Sequence, residues 1–309
     1  RLAILKVHTK RVNLATDVDL EVIARGTPGF VGADLQNLVN ESALLAARRE
    51  ETRVGMSDFE RAKDKVLMGA ERRSMIMSDE EKRSTAFHEA GHALVALLTP
   101  HSDPVHKVTI IPRGMALGLT QTLPEEDRYS YTREQMVALI KYAMGGRAAE
   151  ELVFSHFSTG ASNDLQRATR IARDMVCNYG MSDVVGPVSY DDEHGDIFLG
   201  RDYMQRKNYS EKTAELIDEE VKKLLSTLYE EARSVLAERR DALDRIALAL
   251  LERETLEGAE LQLLIHGKAL PPMRTPPISK TGPPPERVKA EPSKAFPGEK
   301  LPDPEPVPG

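Results

Sequence analysis

The chain has 309 residues, 40% of them apolar, a formal net charge of −7, no tryptophan and a single cysteine, Cys177. Such a chain is long and apolar enough for two modest domains. The composition excludes an intrachain disulfide, offers no basic surface for nucleic acid, and leaves no run of about 18 apolar residues to cross a bilayer. One cysteine fits a reducing compartment. The first residue is Arg1 rather than Met and already sits in a helical pattern, so a fragment of a longer protein is expected.

Residues 1–70 read as four helices joined by short Gly/Pro turns, the pattern of a compact helical bundle. The first is RLAILKVH. The second, DVDLEVIARGTPG, is expected to start on a capping Asp17 and stop at Gly26 and Pro28. The third, GADLQNLVNESALLAARRE, places Leu35, Leu38, Val39, Ala43 and Ala46 on one face. The fourth, SDFERAKDKVLMG, is expected to open on a capping box of Ser57 and Glu60.

Ser78 and Glu81 form a second capping box, from which a helix should run to about Leu98. VHKVTIIPRG (105–114) is rich in β-branched residues and reads as a strand, with LGLTQTLP available to pair with it. Residues 132–154 read as a helix interrupted at Gly145-Gly146, a pair that costs helix stability and permits a close backbone approach. STGASND is a turn leading into a helix from about Ser162 to Tyr179, ended by Gly180. An acidic loop, DDEHGDIFLG, precedes a long charged helix from about Ser210 to Arg239, and two shorter helices follow to about His266. Thirteen of the 19 prolines lie beyond Leu270; that tail cannot build a packed core and should be extended or disordered.

The chemistry is concentrated in TAFHEAGHALVALL (85–98). His88 and His92 lie four apart, one helical turn, so both imidazoles can reach one Zn²⁺. Glu89 can take a proton from the attacking water and pass it to a leaving amine. Gly91 sits mid-helix at a cost of about 1 kcal/mol relative to Ala, which makes sense if something packs tightly against the helix beside the metal. The third ligand is not local. A metzincin would continue with Gly and His where this chain has Val95 and Leu98. Glu125 and Glu126 read as solvated loop residues. Glu150 and Glu151, in the helical GGRAAEELVF, and Asp164, at the helix start in STGASND, remain equal candidates on physical grounds. His8, His101, His106, His156, His194 and His266 read as surface or satisfied histidines, and DDEHGD lacks the spacing of a Ca²⁺ loop.

Several separated stretches, in this order, carry a resemblance: GTPGFVGADLQNLVNESALLAAR, MGAERRS, HEAGHA, HKVTIIPRG with ALG, STGASNDL and FLGR. Together they resemble the FtsH family of membrane-anchored, ATP-dependent zinc metalloproteases over about residues 1–268. The resemblance implies a mainly α fold. It places the C-terminal helical lid of an AAA+ ATPase module at 1–72, a mostly helical zincin-type peptidase domain with a small β-sheet at 73–268, and a proline-rich tail at 269–309. It implies one Zn²⁺ per chain held by His88, His92 and Asp164, with Glu89 catalytic and Glu150 and Glu151 in supporting or packing roles. It further implies a homo-hexamer that cuts unfolded and membrane proteins at the cytoplasmic face of the inner (plasma) membrane. No Walker A sequence is present, and GTPGFVG resembles the lid turn that packs near the adenine. ATP and Mg²⁺ are therefore expected only in a full-length protein, as is membrane attachment through N-terminal segments. The competing reading is a non-catalytic hexamerisation or interaction module with a structural metal site. The strand at 105–111 is a candidate edge for binding extended substrate.

Overall fold

In the computed structural model of the chain, the described residues are 1–72, 77–114, 116–123, 128, 130–190 and 209–272. The acidic loop with His194, the Glu125-Glu126 pair and the proline-rich tail beyond 272 lie outside them, so those expectations do not meet the structure.

The first helices are α1 (Leu2–His8), α2 (Leu20–Arg25), α3 (Gly32–Arg48) and α4 (Met56–Met68). They bury one apolar cluster, with Leu5, Leu35, Leu38 and Phe59 almost completely enclosed. Two caps differ from expectation. Asp19, not Asp17, caps α2, accepting from the amides of Glu21 and Val22. Asp17 instead accepts from the amide of Met56. Helix α4 starts two residues earlier than the Ser57–Glu60 box allows: Asp58 reaches back to the amide of Gly55 at 3.0 Å. Asp58 is also the buried partner of Arg49, at 2.6 Å, and that pairing selects it over Glu60.

The rest of the chain is built on α5 (Asp79–Leu98) and α6 (Arg133–Phe154). Ser78 and Glu81 cap α5 reciprocally, as expected. Every residue of α5 from Thr85 to Ala96 is buried except His88, so this helix is the axis of the second core. Helix α6 is continuous; Gly145-Gly146 does not interrupt it. Tyr142, Gly145, Gly146, Ala149 and Glu150 follow the i, i+3, i+4, i+7, i+8 spacing of one helix face, and that face meets α5. At the crossing, a Cβ on Gly91 would lie 2.4 Å from the Gly145 carbonyl oxygen, and one on Gly145 would lie 2.7 Å from the Gly91 oxygen. The two backbones touch, which only paired glycines permit, and the pull of that contact outweighs their poor helix propensity. Helices α7 (Ser162–Cys177), α8 (Glu211–Glu238) and α9 (Arg240–Arg253) enclose the pair.

The sheet has three antiparallel strands: β1 (Val105–Thr109), β2 (Leu119–Thr122) and β3 (Thr255–Glu257), in the order β2-β1-β3. Val108 pairs with Thr120 on one side and Leu256 on the other. Two expectations fail here. The strand stops before Ile110, and β1 is central rather than an edge, because β3 occupies its second side. Neither of its edges is open to an added strand; the outer strands are β2 and β3. Helix α10 (Gly258–Ile265) closes the described fold. No helix among the described residues is long and apolar enough to cross a membrane.

Candidate metal centre

His88 and His92 project from α5 one turn apart, with their Nε2 atoms 3.0 Å from each other. Asp164, in the first turn of α7, brings Oδ2 to 3.3 Å from His88 Nε2 and 3.4 Å from His92 Nε2. Among the described residues this is the one group of three or more His, Cys, Asp or Glu side chains placed to hold a metal ion. Neighbouring ligand atoms of a tetrahedral zinc at roughly 2.0–2.1 Å are separated by about 3.3 Å, so the spacing fits.

The hydrogen-bond chemistry fits as well. His92 Nδ1–H donates to the Tyr142 carbonyl at 2.7 Å, and His88 Nδ1–H donates to Glu150 Oε1 at 2.7 Å. With both Nδ1 atoms acting as donors, each neutral ring presents a lone pair at Nε2. Two lone pairs and a carboxylate oxygen then face one another at contact distance. Such an arrangement requires a cation between them, a metal ion or a proton.

The electrostatics of the metal-free site say the same. Burial opposes charge on His88, but its bonds to Asp164 and Glu150 and the charge of Glu89 outweigh burial and push its pKa from 6.5 up to about 10. Asp164 is held well below the usual carboxylate range: burial works against its charge, and the bonds from His88 and His92 prevail. Glu150 is lowered in the same way, with burial overcome by His88 and Ser158. Its second oxygen accepts from the Ser158 amide at 3.2 Å and hydroxyl at 2.9 Å.

Glu89 is 6% exposed and lies beside the cluster. Burial raises its pKa, opposed by His92 and His88 and by the bond from Thr120. Thr120 Oγ1 donates to Glu89 Oε2 at 2.8 Å. Around these groups the backbone carries no side-chain bulk. A Cβ on Gly146 would sit 2.5 Å from His88 Nε2 and 2.6 Å from His92 Nε2, and one on Gly118 would sit 2.8 Å from Glu89 Oε1.

Of the three carboxylates left open by the residues alone, the structure brings only Asp164 to the Nε2 atoms. Glu150 turns to the far nitrogen of His88. Glu151 faces α8, where the Tyr229 hydroxyl donates to it and Arg233 lies at 3.7 Å. The other described histidines stay away from the cluster: His106 lies by Lys63 and Glu60, and His156 stacks on Phe154. Sequence reasoning missed Gly146, Gly118, Thr120 and Tyr142. The Gly-Gly pair was the one visible signal, and it marked the close approach without revealing that Gly146 leaves room for the two Nε2 atoms.

The family model for peptidase family M41 matches residues 75–264, and that for the AAA+ lid domain matches residues 17–61. The chain is 60% identical over 273 residues to the ATP-dependent zinc metalloprotease FtsH 4 of Sorangium cellulosum, covering 88% of this chain and 42% of that protein. It is 57% identical to the ATP-dependent zinc metalloprotease FtsH of Myxococcus xanthus (90% of this chain, 43% of that one). It is 53% identical to the protein of the same name from Caulobacter vibrioides (89% and 44%). The chain thus spans less than half the length of these relatives.

Proposed function

The chain belongs to peptidase family M41, and on that premise we propose that it supplies the proteolytic part of an FtsH-type, ATP-dependent zinc metalloprotease. Residues 1–72 form the lid of an AAA+ module, 73–268 the peptidase domain, and 269–309 a tail. His88, His92 and Asp164 hold one Zn²⁺ per chain. The observation that carries this reading is the convergence of three acceptor atoms at 3.0–3.4 Å beside a buried glutamate.

Zinc, when bound, polarises the scissile carbonyl and stabilises the negative charge that develops on its oxygen. The residues do the rest. Glu89, buried beside the cluster, accepts a proton from the attacking water and delivers it to the leaving amine. Glu150 and the Tyr142 carbonyl keep both imidazoles in the tautomer that leaves Nε2 free. The substrates are unfolded and membrane proteins, and the working assembly is a homo-hexamer. ATP and Mg²⁺ belong to a nucleotide-binding core outside these 309 residues. Membrane attachment, on the cytoplasmic face, belongs to segments outside them as well.

The test is cleavage of an unfolded protein such as casein by the zinc-loaded chain, with and without a chelator. Glu89→Gln should retain zinc and lose activity by about 10²–10⁴-fold, the usual contribution of a positioned general base. Full cleavage by that variant overturns the assignment. Stoichiometric zinc with no cleavage by the native chain favours the interaction-module reading.

A further inference from the structure

We infer that Thr120 is the positioning residue for Glu89, itself fixed in place by Tyr142. This rests on the proposed role of Glu89 as the base. Thr120 is buried on β2, and its hydroxyl lies 2.8 Å from Glu89 Oε2 and 3.0 Å from the Glu89 carbonyl oxygen. A hydroxyl has one proton, so the two Glu89 oxygens share it in a three-centre bond, the shorter arm to the carboxylate, and head and backbone of the same residue are tied to one point. The Thr120 carbonyl in turn accepts from the Tyr142 hydroxyl at 2.6 Å, and the Tyr142 carbonyl accepts from His92 Nδ1 at 2.7 Å. The path from a metal ligand to the base is therefore continuous: His92, Tyr142, Thr120, Glu89.

Gly118 completes the clamp. It lies just before β2, two residues ahead of Thr120, and a Cβ at Gly118 would meet Glu89 Cγ at 2.7 Å and Thr85 Cγ2 at 2.9 Å. The carboxylate is thus confined between a bare backbone and a hydroxyl. Among the described residues no side chain donates to Oε1. With Oε2 engaged by Thr120, Oε1 is the oxygen that takes the proton.

Two substitutions separate positioning from folding, because they move the two roles in opposite directions. Thr120→Val keeps the β-branched shape and removes the hydroxyl; Thr120→Ser keeps the hydroxyl and weakens the strand preference. In the zinc-loaded protein acting on unfolded casein, Thr120→Val should lower kcat about tenfold or more, leave KM within about twofold and keep one zinc, the pattern of a lost transition-state interaction. Thr120→Ser should restore more than half of kcat. Tyr142→Phe should lower kcat by less than Thr120→Val.

A second readout needs neither zinc nor activity. Thr120→Val should lower the Tm of the metal-free protein, and should lower it by less than half as much in a Glu89→Ala background, since the hydroxyl then has no carboxylate to hold. The inference is overturned if Thr120→Val turns over normally, if it loses its zinc, if Thr120→Ser is as impaired as Val, or if the Tm losses are equal in both backgrounds. A native chain that holds zinc and cleaves nothing would instead defeat the role of Glu89, while the Tm comparison would still report on the clamp.

Discussion

His88 carries, in the metal-free protein, a proton that zinc has to displace. A pKa raised from 6.5 to about 10 contributes stability that is complete below pH 6.5 and is lost as pH rises through about 10. The lowered Asp164 and Glu150 contribute stability that is present above their ordinary values of 3.8 and 4.5 and is lost as pH falls below them. Taken together, these three groups stabilise the metal-free fold most between about pH 4.5 and 6.5, while the raised pKa of the buried Glu89 works against stability as pH rises above 4.5. At pH 7 zinc binding should release about one proton, and its affinity should weaken about tenfold for each pH unit of acidification. Calorimetry in two buffers of different ionisation enthalpy measures the release, and a value of zero would contradict the protonated His88. Gly146 gives a second prediction. Alanine there improves helix propensity by about 1 kcal/mol but places a methyl within 2.6 Å of both Nε2 atoms. Gly146→Ala should remain folded by circular dichroism and lose its zinc. At this scale the sequence showed the candidate ligands that one helical turn brings together, His88 and His92, with Glu89 between them. Asp164 could not be separated from Glu150 by spacing, because its approach depends on how α7 docks, and Thr120 was invisible because its partner lies across a strand-to-helix contact.

Close contact between α5 and α6 sets the geometry of the site more than any single bond. Gly91 lets α6 approach, and the approach places Tyr142 and Glu150 against the two histidines. Propensity alone predicts that Gly91→Ala stabilises α5 by about 1 kcal/mol. The structure predicts the reverse, because the methyl would lie 2.4 Å from the Gly145 oxygen and 2.6 Å from Ala149 Cβ, and forced overpacking costs about 1–3 kcal/mol. Thermal unfolding decides the sign: a lower Tm with weakened zinc binding is expected, and a higher Tm would contradict the packing argument. Elements with strong periodicity or a reciprocal cap, such as α3, α5 and α8, were legible from the chain. Strand β3 was not, since Thr255–Glu257 is three residues long and exists through its pairing with β1. That same pairing turned an expected edge strand into a central one.

At the scale of the molecule, the buried apolar residues among those described fall into two clusters, one in α1–α4 and one from α5 onward. Charged residues join them. Asp64 on α4 is nearly buried and lies 2.9 Å from Lys107 on β1 and 3.6 Å from Arg113, which also bonds Glu71 at 2.6 Å. Asp64→Ala strands the largely buried Lys107, leaves Arg113 with Glu71 alone, and should cost about 3–5 kcal/mol, read as a fall in the denaturation midpoint; a change under about 1 kcal/mol, the worth of an exposed pair, would show that the junction is solvated. The two-part organisation was legible from the break in helical pattern after residue 70 and from the resemblance, but the junction was not, because its partners lie some 43 positions apart. The account as a whole depends on the carboxylate that α7 delivers to α5. Elemental analysis of zinc in purified Asp164→Ala, Glu150→Ala and Glu151→Ala proteins tests it most directly. Asp164→Ala should lose its zinc. Glu150→Ala should bind about 10–100-fold more weakly but fill when zinc is in excess, and Glu151→Ala should keep one zinc per chain. Stoichiometric zinc in Asp164→Ala, with loss in Glu150→Ala or Glu151→Ala, would contradict the account.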